Sequence, residues 1–228
     1  MEEIILVDKP AGITSFGVIR ELRKRLNVRK IGHAGTLDPL ATGLMILGVG
    51  TGTKRLTELV KLDKEYVAEI RVGEKRSTGD LEGEIIEEAP VTELAEALVR
   101  DTLQSIVGTL ILPVSAYSAI KKDGVPMYKR ARQAEKTGVI VTEVPIRDMK
   151  VFAAELLLPP TALALSDGSR PRRMVVTVRF AVGSGTYIRS LAEEFGRRLG
   201  YPATLQNLRR TKVGEYRIED AKRIEDFV

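Results

Sequence analysis

Short apolar runs alternate with amphipathic segments along this chain of 228 residues, and this alternation constrains the fold more than any other feature. Ile4 to Val7 and Leu44 to Val49 are continuous apolar runs of strand length, and Tyr66 to Val72 alternates as a half-buried strand does. Between the first two runs lies an amphipathic helix, with Ser15 as its expected N-cap and Asn27 as its end. The pattern predicts a mixed α/β (α+β) fold without internal repeats.

The remaining elements are predicted from the same periodicity and from the positions of glycine and proline. Helices are expected over Lys54 to Val60, from a Thr92 cap through Gln104, over Tyr187 to Leu199 before Gly200, and over Glu219 to Phe227. Strands are expected near Tyr117, over Val141 to Leu157 and over Met174 to Val182, with a loop or insertion over Pro159 to Pro171. No linker separates these elements, so we expect one domain.

The chain contains no cysteine and a single histidine, His33. Disulfide frameworks, thiolate zinc sites, iron–sulfur clusters, cysteine nucleophiles and multi-histidine metal sites are thereby excluded. No apolar run approaches the roughly 18 residues of a membrane span, and the N-terminus lacks the basic start of a signal peptide. We therefore expect a cytoplasmic protein that does not bind membranes.

Charge is distributed unevenly along the chain, which carries a formal net charge of +5. Asp80 to Gln104 contains eight acidic residues and one arginine, and is expected to form a solvated face turned away from a polyanion. Arg170 to Arg217 has the opposite balance, with eleven basic and three acidic residues. A second basic group runs from Arg20 to Lys30. The balance favours a polyanionic partner.

The segment from Gly32 to Gly43 concentrates turn-forming residues around His33 and Asp38. Its glycines allow a close approach of the backbone to a ligand, and Pro39 restricts Asp38 to extended conformations. Two interpretations remain open from these residues alone. Asp38 is a rigidly held functional carboxylate, or Asp38 caps a turn while His33 merely packs.

A second candidate site lies where a glycine turn after a strand leads into the helix that carries Arg189. An arginine in the first turn of a helix is on the unfavourable side of the helix dipole. Arg189 therefore either extends to solvent or is held by a carboxylate or phosphate.

Several longer blocks occur in order along nearly the whole chain. They are Lys9-Pro10 with Gly12 and Thr14-Ser15, the run from Gly32 to Lys54, Lys64-Glu65-Tyr66, Tyr117 to Lys121 with Tyr128, Gly185 to Leu191, and Leu208 to Thr211. These blocks resemble the B-type pseudouridine synthases, the family of the bacterial tRNA pseudouridine-55 synthases, which also includes RNA-guided archaeal and eukaryotic relatives. The run GHAGTLDPLATG from Gly32 to Gly43 is the most specific of them.

The resemblance implies the pseudouridine synthase fold, a mixed and largely antiparallel sheet with flanking helices and a central active-site cleft. It implies isomerisation of uridine 55 in the T-loop of tRNA without a cofactor or metal. Asp38 would be the catalytic aspartate that attacks the flipped nucleotide, and Arg189 would pair with it and lower its pKa. Tyr66 would stack on the extruded base and take part in proton movement.

The resemblance also assigns residues that bind the substrate. Tyr187 and Leu208 would line the base pocket, His33 would lie against RNA, and Lys9 would support the pocket floor. From the local charge we expect a phosphate-binding surface formed by Arg209, Arg210 and Lys212.

Relatives commonly continue into a small C-terminal PUA domain, and no segment of this chain corresponds to it, so we expect one catalytic domain over residues 1–228. The expected partner is the T-arm of tRNA, bound by a monomer without an obligate protein partner. Two alternatives are a tRNA-folding factor with incidental or lost catalysis and a guide-RNA-dependent catalytic subunit.

Overall fold

The computed structural model describes residues 3–118, 120–137, 144–163 and 173–227. Within these ranges it contains α-helices, β-strands and three short 3₁₀ helices, Gly50–Arg55, Ile218–Asp220 and Ile224–Asp226. The α-helices are α1 Ser15–Arg25, α2 Leu56–Leu59, α3 Glu96–Ser105, α4 Met127–Thr137 and α5 Ile188–Leu199. The strands are β1 Glu3–Lys9, β2 Ile31–His33, β3 Thr42–Val49, β4 Lys64–Val72, β5 Glu74–Arg76, β6 Ile85–Glu88, β7 Gly108–Pro113, β8 Lys121–Lys122, β9 Val125–Pro126, β10 Ile146–Ala162, β11 Met174–Val182, β12 Ala203–Val213 and β13 Tyr216–Arg217.

The chain divides into two compact units that interleave along the sequence. The first unit comprises Met1–Ala68, Arg179–Gly185 and Asn207–Val228, and the second comprises Glu69–Val178 and Thr186–Gln206. The expectation of one catalytic domain over residues 1–228 stays a prediction.

The first unit is built around β3, whose residues from Gly43 to Val49 are all buried. β1 pairs with β3 in antiparallel register from Glu3 opposite Val49 to Lys9 opposite Gly43. The other edge of β3 is shared, because β2 pairs with Leu47 to Val49 and β12 runs parallel to Thr42 and Gly43. The segment between β2 and β3 therefore leaves the sheet where β12 joins it.

The core of the first unit forms between this sheet and the elements that follow it. Ala34, Leu44, Ile46, Leu59 and Val213 make a buried apolar cluster. Burial of such side chains contributes roughly 1.5 to 3 kcal/mol for each large residue. Through Ala34, this core holds the start of the segment that carries Asp38.

The second unit contains the antiparallel pair β7 and β10, the hairpin β5 and β6, and helices α3 and α5. α5 buries an apolar face that includes Leu191, Phe195 and Leu199, and it ends at Gly200 in the left-handed conformation, as the sequence indicates. Of the strand pairs named in the two units, β3 with β12 alone is parallel. The predicted mixed α/β class with a mostly antiparallel sheet is confirmed.

Two predicted helix caps are wrong. Thr14, not Ser15, is the N-cap of α1, because its side chain accepts a hydrogen bond from the backbone N–H of Gly17 at 2.9 Å. α3 begins at Glu96 after Ala95, which makes no side-chain cap, so Thr92 does not start this helix.

The predicted C-terminal helix over 219–227 is also wrong. Two 3₁₀ turns occupy this region, and Lys222 lies between them. The carbonyl of Lys222 accepts from the Asp8 N–H of β1 at 2.9 Å, and its N–H donates to the Leu6 carbonyl at 3.1 Å. Backbone pairing with a strand edge holds the segment extended, and an extended residue interrupts a helix.

Three further predictions change in detail. Tyr117 lies in a turn rather than a strand. The strand expected over Val141 to Leu157 is β10, Ile146–Ala162, so residues 159–162 of the expected loop belong to it. Residues 141–143 and 164–172 lie outside the described residues. Among the described helices, none has the length and apolar character needed to cross a membrane.

Candidate active site

The predicted site residues divide between the two units. Eight of them lie in the first unit and two, Tyr187 and Arg189, lie in the second. The eight are Lys9, His33, Asp38, Tyr66, Leu208, Arg209, Arg210 and Lys212.

Residues 34–41, which we call the Asp38 loop, connect β2 to β3. Gly35 has a positive φ of +99°, and a Cβ atom there would lie 3.5 Å from Nη1 of Arg210. Gly43 has a φ of +102°, and its Cβ would lie 2.3 Å from the carbonyl oxygen of Arg210. Both positions have a positive φ, which favours glycine, and at Gly43 the backbone of Arg210 also occupies the space that a side chain would need.

Lys9 at the end of β1 supports the loop from one side. Its buried ammonium donates to the carbonyl oxygens of Pro39 at 3.2 Å and Ala41 at 2.5 Å, and to that of Pro10 at 2.9 Å. Burial lowers the pKa of Lys9 to about 8, although the negative charge of Asp38 opposes this shift. The supporting role predicted for Lys9 is consistent with these contacts, and Lys9 and Asp38 attract each other.

Arg210 supports the same loop from β12. Its guanidinium is 1% exposed and donates to the carbonyls of Leu44 at 2.7 Å, Gly35 at 3.2 Å and Thr36 at 3.5 Å. The prediction that Arg210 joins a phosphate-binding surface is therefore wrong. Alternation along β12 turns Arg210 inward and Arg209 outward, because successive strand residues face opposite sides.

Two more titratable groups lie in this positive environment. Burial, and then the charge of Arg210, lower the pKa of Lys64 to about 8. The same two causes lower the pKa of His33 below its ordinary value, so the ring is neutral at pH 7. The Asp38 loop thus lies among cations that are costly to bury.

Tyr66 and Leu208 are both buried. Tyr66 follows the alternating burial of β4, and Leu208 follows that of β12, as their apolar patterns indicate. Their predicted contacts with a flipped base stay predictions.

In the second unit, Arg189 lies in the first turn of α5 and is buried. Its Nη1 donates to the Thr78 carbonyl at 3.0 Å and lies 3.4 Å from Oδ2 of Asp80. Nη2 donates to the Tyr117 carbonyl at 3.2 Å, and Nη1 also approaches Ser115 Oγ at 3.3 Å. Of the two interpretations of Arg189, the one in which a carboxylate or phosphate holds it is correct, and the carboxylate is that of Asp80.

Asp80 is a residue that the sequence interpretation missed. The sequence places Asp80 on a solvated acidic face, but the residue is only 3% exposed. Its Oδ1 accepts from Thr78 Oγ1 at 2.5 Å and from the Glu82 N–H at 3.1 Å, while Oδ2 faces Arg189. The flanking Gly79 and Gly83 in an otherwise acidic run are the signal of a tight turn that could have separated Asp80 from its neighbours.

Glu193 lies one helical turn after Arg189 and is half-buried. Burial raises its pKa, and the charges of Lys75 and Arg189 oppose that shift. The charge around Arg189 thus depends on Asp80 and Glu193 together. Tyr187 is the half-buried N-cap residue of α5.

The remaining basic residues fall into two groups. Arg209 is engaged by Asp8, with Nη2 to Oδ2 at 2.7 Å and Nη1 to Oδ1 at 3.1 Å, and Lys212 is half-buried. A group of exposed cations, which we call the basic face, lies on α1, on the turn after it and on the 3₁₀ helix Gly50–Arg55. A hydrogen bond from Gly50 N–H to Lys30 O (2.8 Å) joins this turn to the 3₁₀ helix. The basic face consists of Arg20, Lys24, Arg29, Lys30, Lys54 and Arg55.

The family profile of TruB family pseudouridylate synthase (N terminal domain) matches residues 23–188. The chain belongs to the TruB family. This match contains the Asp38 loop and the residues from Gly185 to Ile188, and it ends one residue before Arg189. The family predicted from the sequence is confirmed.

Curated relatives carry the name tRNA pseudouridine synthase B. That of Leifsonia xyli is 41% identical over 96% of this chain and 69% of its own length. That of Opitutus terrae is 40% identical over 97% of this chain and 85% of its own length.

Two solved structures with a similar fold are chains of larger assemblies. A chain of an H/ACA RNP bound to a substrate RNA containing 2′-deoxyuridine has a TM-score of 0.65 and 25% identity, and the match covers 98% of this chain and 51% of that one. A chain of the archaeal box H/ACA sRNP Nop10-Cbf5 complex has a TM-score of 0.64 and 26% identity, and the match covers 99% and 52%.

Proposed function

We propose that this chain isomerises uridine to pseudouridine at position 55 in the T-loop of tRNA, with Asp38 as the nucleophile. The observation that carries the proposal is a TruB-family aspartate whose loop is held through its backbone carbonyls by the buried Lys9 and Arg210. Such support fixes the backbone on both sides of the proposed reactive group.

The reaction needs no atoms beyond those of the uridine. The glycosidic bond from N1 to C1′ breaks, a bond from C5 to C1′ forms, the C5 proton leaves to solvent and N1 gains a proton. A carboxylate that adds to C1′ or to the uracil ring, and later departs, separates these steps. No electrons are exchanged, so the proposed reaction requires no oxidant or reductant.

The other residues take the roles that the family resemblance implies. Tyr66, Tyr187 and Leu208 contact the flipped base, and His33 lies against RNA as a neutral ring. Arg189 pairs with Asp38 and, through Asp80, is itself held in one orientation. Flipping costs a few kcal/mol, which these stacking contacts offset.

The basic face is the proposed contact with the phosphates of the T-arm. Its cations are exposed and, unlike Arg210, are free of burial costs. Replacing Lys54 and Arg55 together by alanine should reduce the slope of log affinity against log salt by about 2. Arg100→Ala on the exposed side of α3, within the acidic region, is the matched control and should leave the slope unchanged.

We further propose that the protein acts in the cytoplasm as a monomer and without a guide RNA. Purified protein alone should therefore modify a tRNA transcript. A requirement for an added guide RNA and partner proteins would instead favour the RNA-guided alternative.

Tritium release from a transcript labelled at uracil C5 tests the proposed function. Wild-type protein should release tritium from tRNA but not from the same transcript with cytidine at position 55. Asp38→Asn should bind RNA within about threefold of wild type and release none, because it removes the nucleophile at nearly constant volume. Tight binding without release by the wild type would favour the folding-factor alternative and contradict the proposal.

A further inference from the structure

We infer that Ser15 is a positioning residue for the isomerisation, acting through the backbone of the Asp38 loop. The inference rests on the proposed function, because it assigns to Ser15 an effect on the geometry of Asp38. Ser15 belongs to α1, which lies outside the loop itself.

The Ser15 hydroxyl makes two hydrogen bonds to a single residue. It donates to the carbonyl oxygen of Leu37 at 2.9 Å and accepts from the Leu37 N–H at 2.9 Å. Both residues are 3% exposed, so water does not replace either bond readily. One hydroxyl therefore satisfies both backbone polar groups of the residue before Asp38.

The position of this contact determines its consequence. The Leu37 carbonyl belongs to the peptide plane that joins Leu37 to Asp38, so the bond limits rotation on the N-terminal side of Asp38. On the other side Pro39 restricts Asp38, and the Pro39 carbonyl accepts from Gly12 N–H at 2.8 Å and from Lys9 at 3.2 Å. The Asp38 backbone is thus held from both sides.

Ser15 is available for this role because its neighbour caps the helix. Thr14 accepts from the Gly17 N–H at 2.9 Å, which is the bond expected of an N-cap. Two adjacent hydroxyls therefore have separate tasks, one within α1 and one between α1 and the Asp38 loop. This pair supplies a matched control within the chain.

The experiment compares Ser15→Ala with Thr14→Ala by single-turnover tritium release, RNA binding and thermal unfolding. Ser15→Ala should slow the chemical step by roughly tenfold to a hundredfold, because small displacements of a catalytic group are costly, and should change RNA affinity by less than about threefold. Thr14→Ala should lower the unfolding temperature while keeping the chemical rate within about twofold, since it removes only a helix cap.

Equal effects of Ser15→Ala and Thr14→Ala on the chemical rate would overturn the inference about Ser15. If Asp38→Asn releases no tritium in the same assay, the proposed function still stands. Absence of release by the wild type would reject the proposed function itself. If Ser15→Ala does not fold, Ser15→Cys replaces it, and the chain has no other cysteine to interfere. A thiol bonds more weakly than a hydroxyl, so its rate should fall below that of wild type at unchanged affinity, and an unchanged rate would overturn the inference.

Discussion

Two loops, one in each unit, hold an aspartate in opposite ways. The Asp38 loop of the first unit is held by its backbone, whose carbonyls accept from Lys9, Ser15 and Arg210. In the loop between β5 and β6 of the second unit, the Asp80 carboxylate itself accepts from Thr78 and Glu82 and pairs with Arg189. Backbone carbonyls make the named contacts of the Asp38 loop, whereas the carboxylate of Asp80 makes those of the second loop.

The two arrangements differ in electrostatic cost. Around the Asp38 loop, burial and the charge of Arg210 lower the pKa values of Lys9 and Lys64 to about 8. In the second unit, the negative charge of the Asp80 carboxylate lies 3.4 Å from Nη1 of Arg189 and offsets the positive charge of its guanidinium. Replacing the buried cations around the Asp38 loop should therefore change stability and its pH dependence. Replacing Arg189, whose charge is paired, should act mainly on the proposed reaction.

Arg210→Met should have the largest effect on stability. It removes the donor to the buried carbonyl of Leu44 and to the part-buried carbonyls of Gly35 and Thr36, and should lower the free energy of unfolding by about 3 to 5 kcal/mol. Arg209→Met, which breaks a partly exposed pair with Asp8, should cost at most about 1 kcal/mol. Urea unfolding measures both, and equal losses would show that the buried carbonyl contacts do not stabilise the first loop.

Arg189→Lys should have the largest effect on the reaction among substitutions outside the Asp38 loop. An ammonium cannot reproduce the planar set of donors to Thr78, Tyr117 and Asp80, and we expect a roughly hundredfold slower single turnover. Arg197→Lys, which changes an exposed side chain of the same helix that pairs with Glu194, is the control and should leave the rate unchanged. An unchanged rate for Arg189→Lys would separate Arg189 from catalysis.

Lys64→Met should reveal a smaller, pH-dependent effect. Because the pKa of Lys64 is about 8 when folded and 10.5 when exposed, only the folded state loses its proton between these values. Wild-type stability should therefore rise relative to the variant by up to about 1 kcal/mol from pH 7 to pH 9, and level off above pH 10.5. A difference that is flat or falls with pH would contradict the burial of a charged Lys64.

The sequence predicted β1, α1, β3, β4 and α5 because their apolar periodicity is local, but it did not predict β12, which carries Leu208 and Arg210. It also identified the Asp38 loop, since its glycines and Pro39 constrain the backbone whatever surrounds them. It did not predict the contacts that the side chains of Ser15, Asp80 and Arg210 make. Each depends on a partner far along the chain, at Leu37, Arg189 and Gly35, and local propensity carries no information about such contacts.

A comparison of Asp38→Asn with Asp80→Asn in single-turnover tritium release tests the central claim most directly. The account predicts no product from Asp38→Asn, and a rate for Asp80→Asn that is reduced roughly tenfold to a hundredfold but reaches the wild-type end point. RNA binding by both variants, measured on the same transcript, should stay within about threefold of wild type. Product from Asp38→Asn at the wild-type end point would contradict the assignment of Asp38 as the nucleophile.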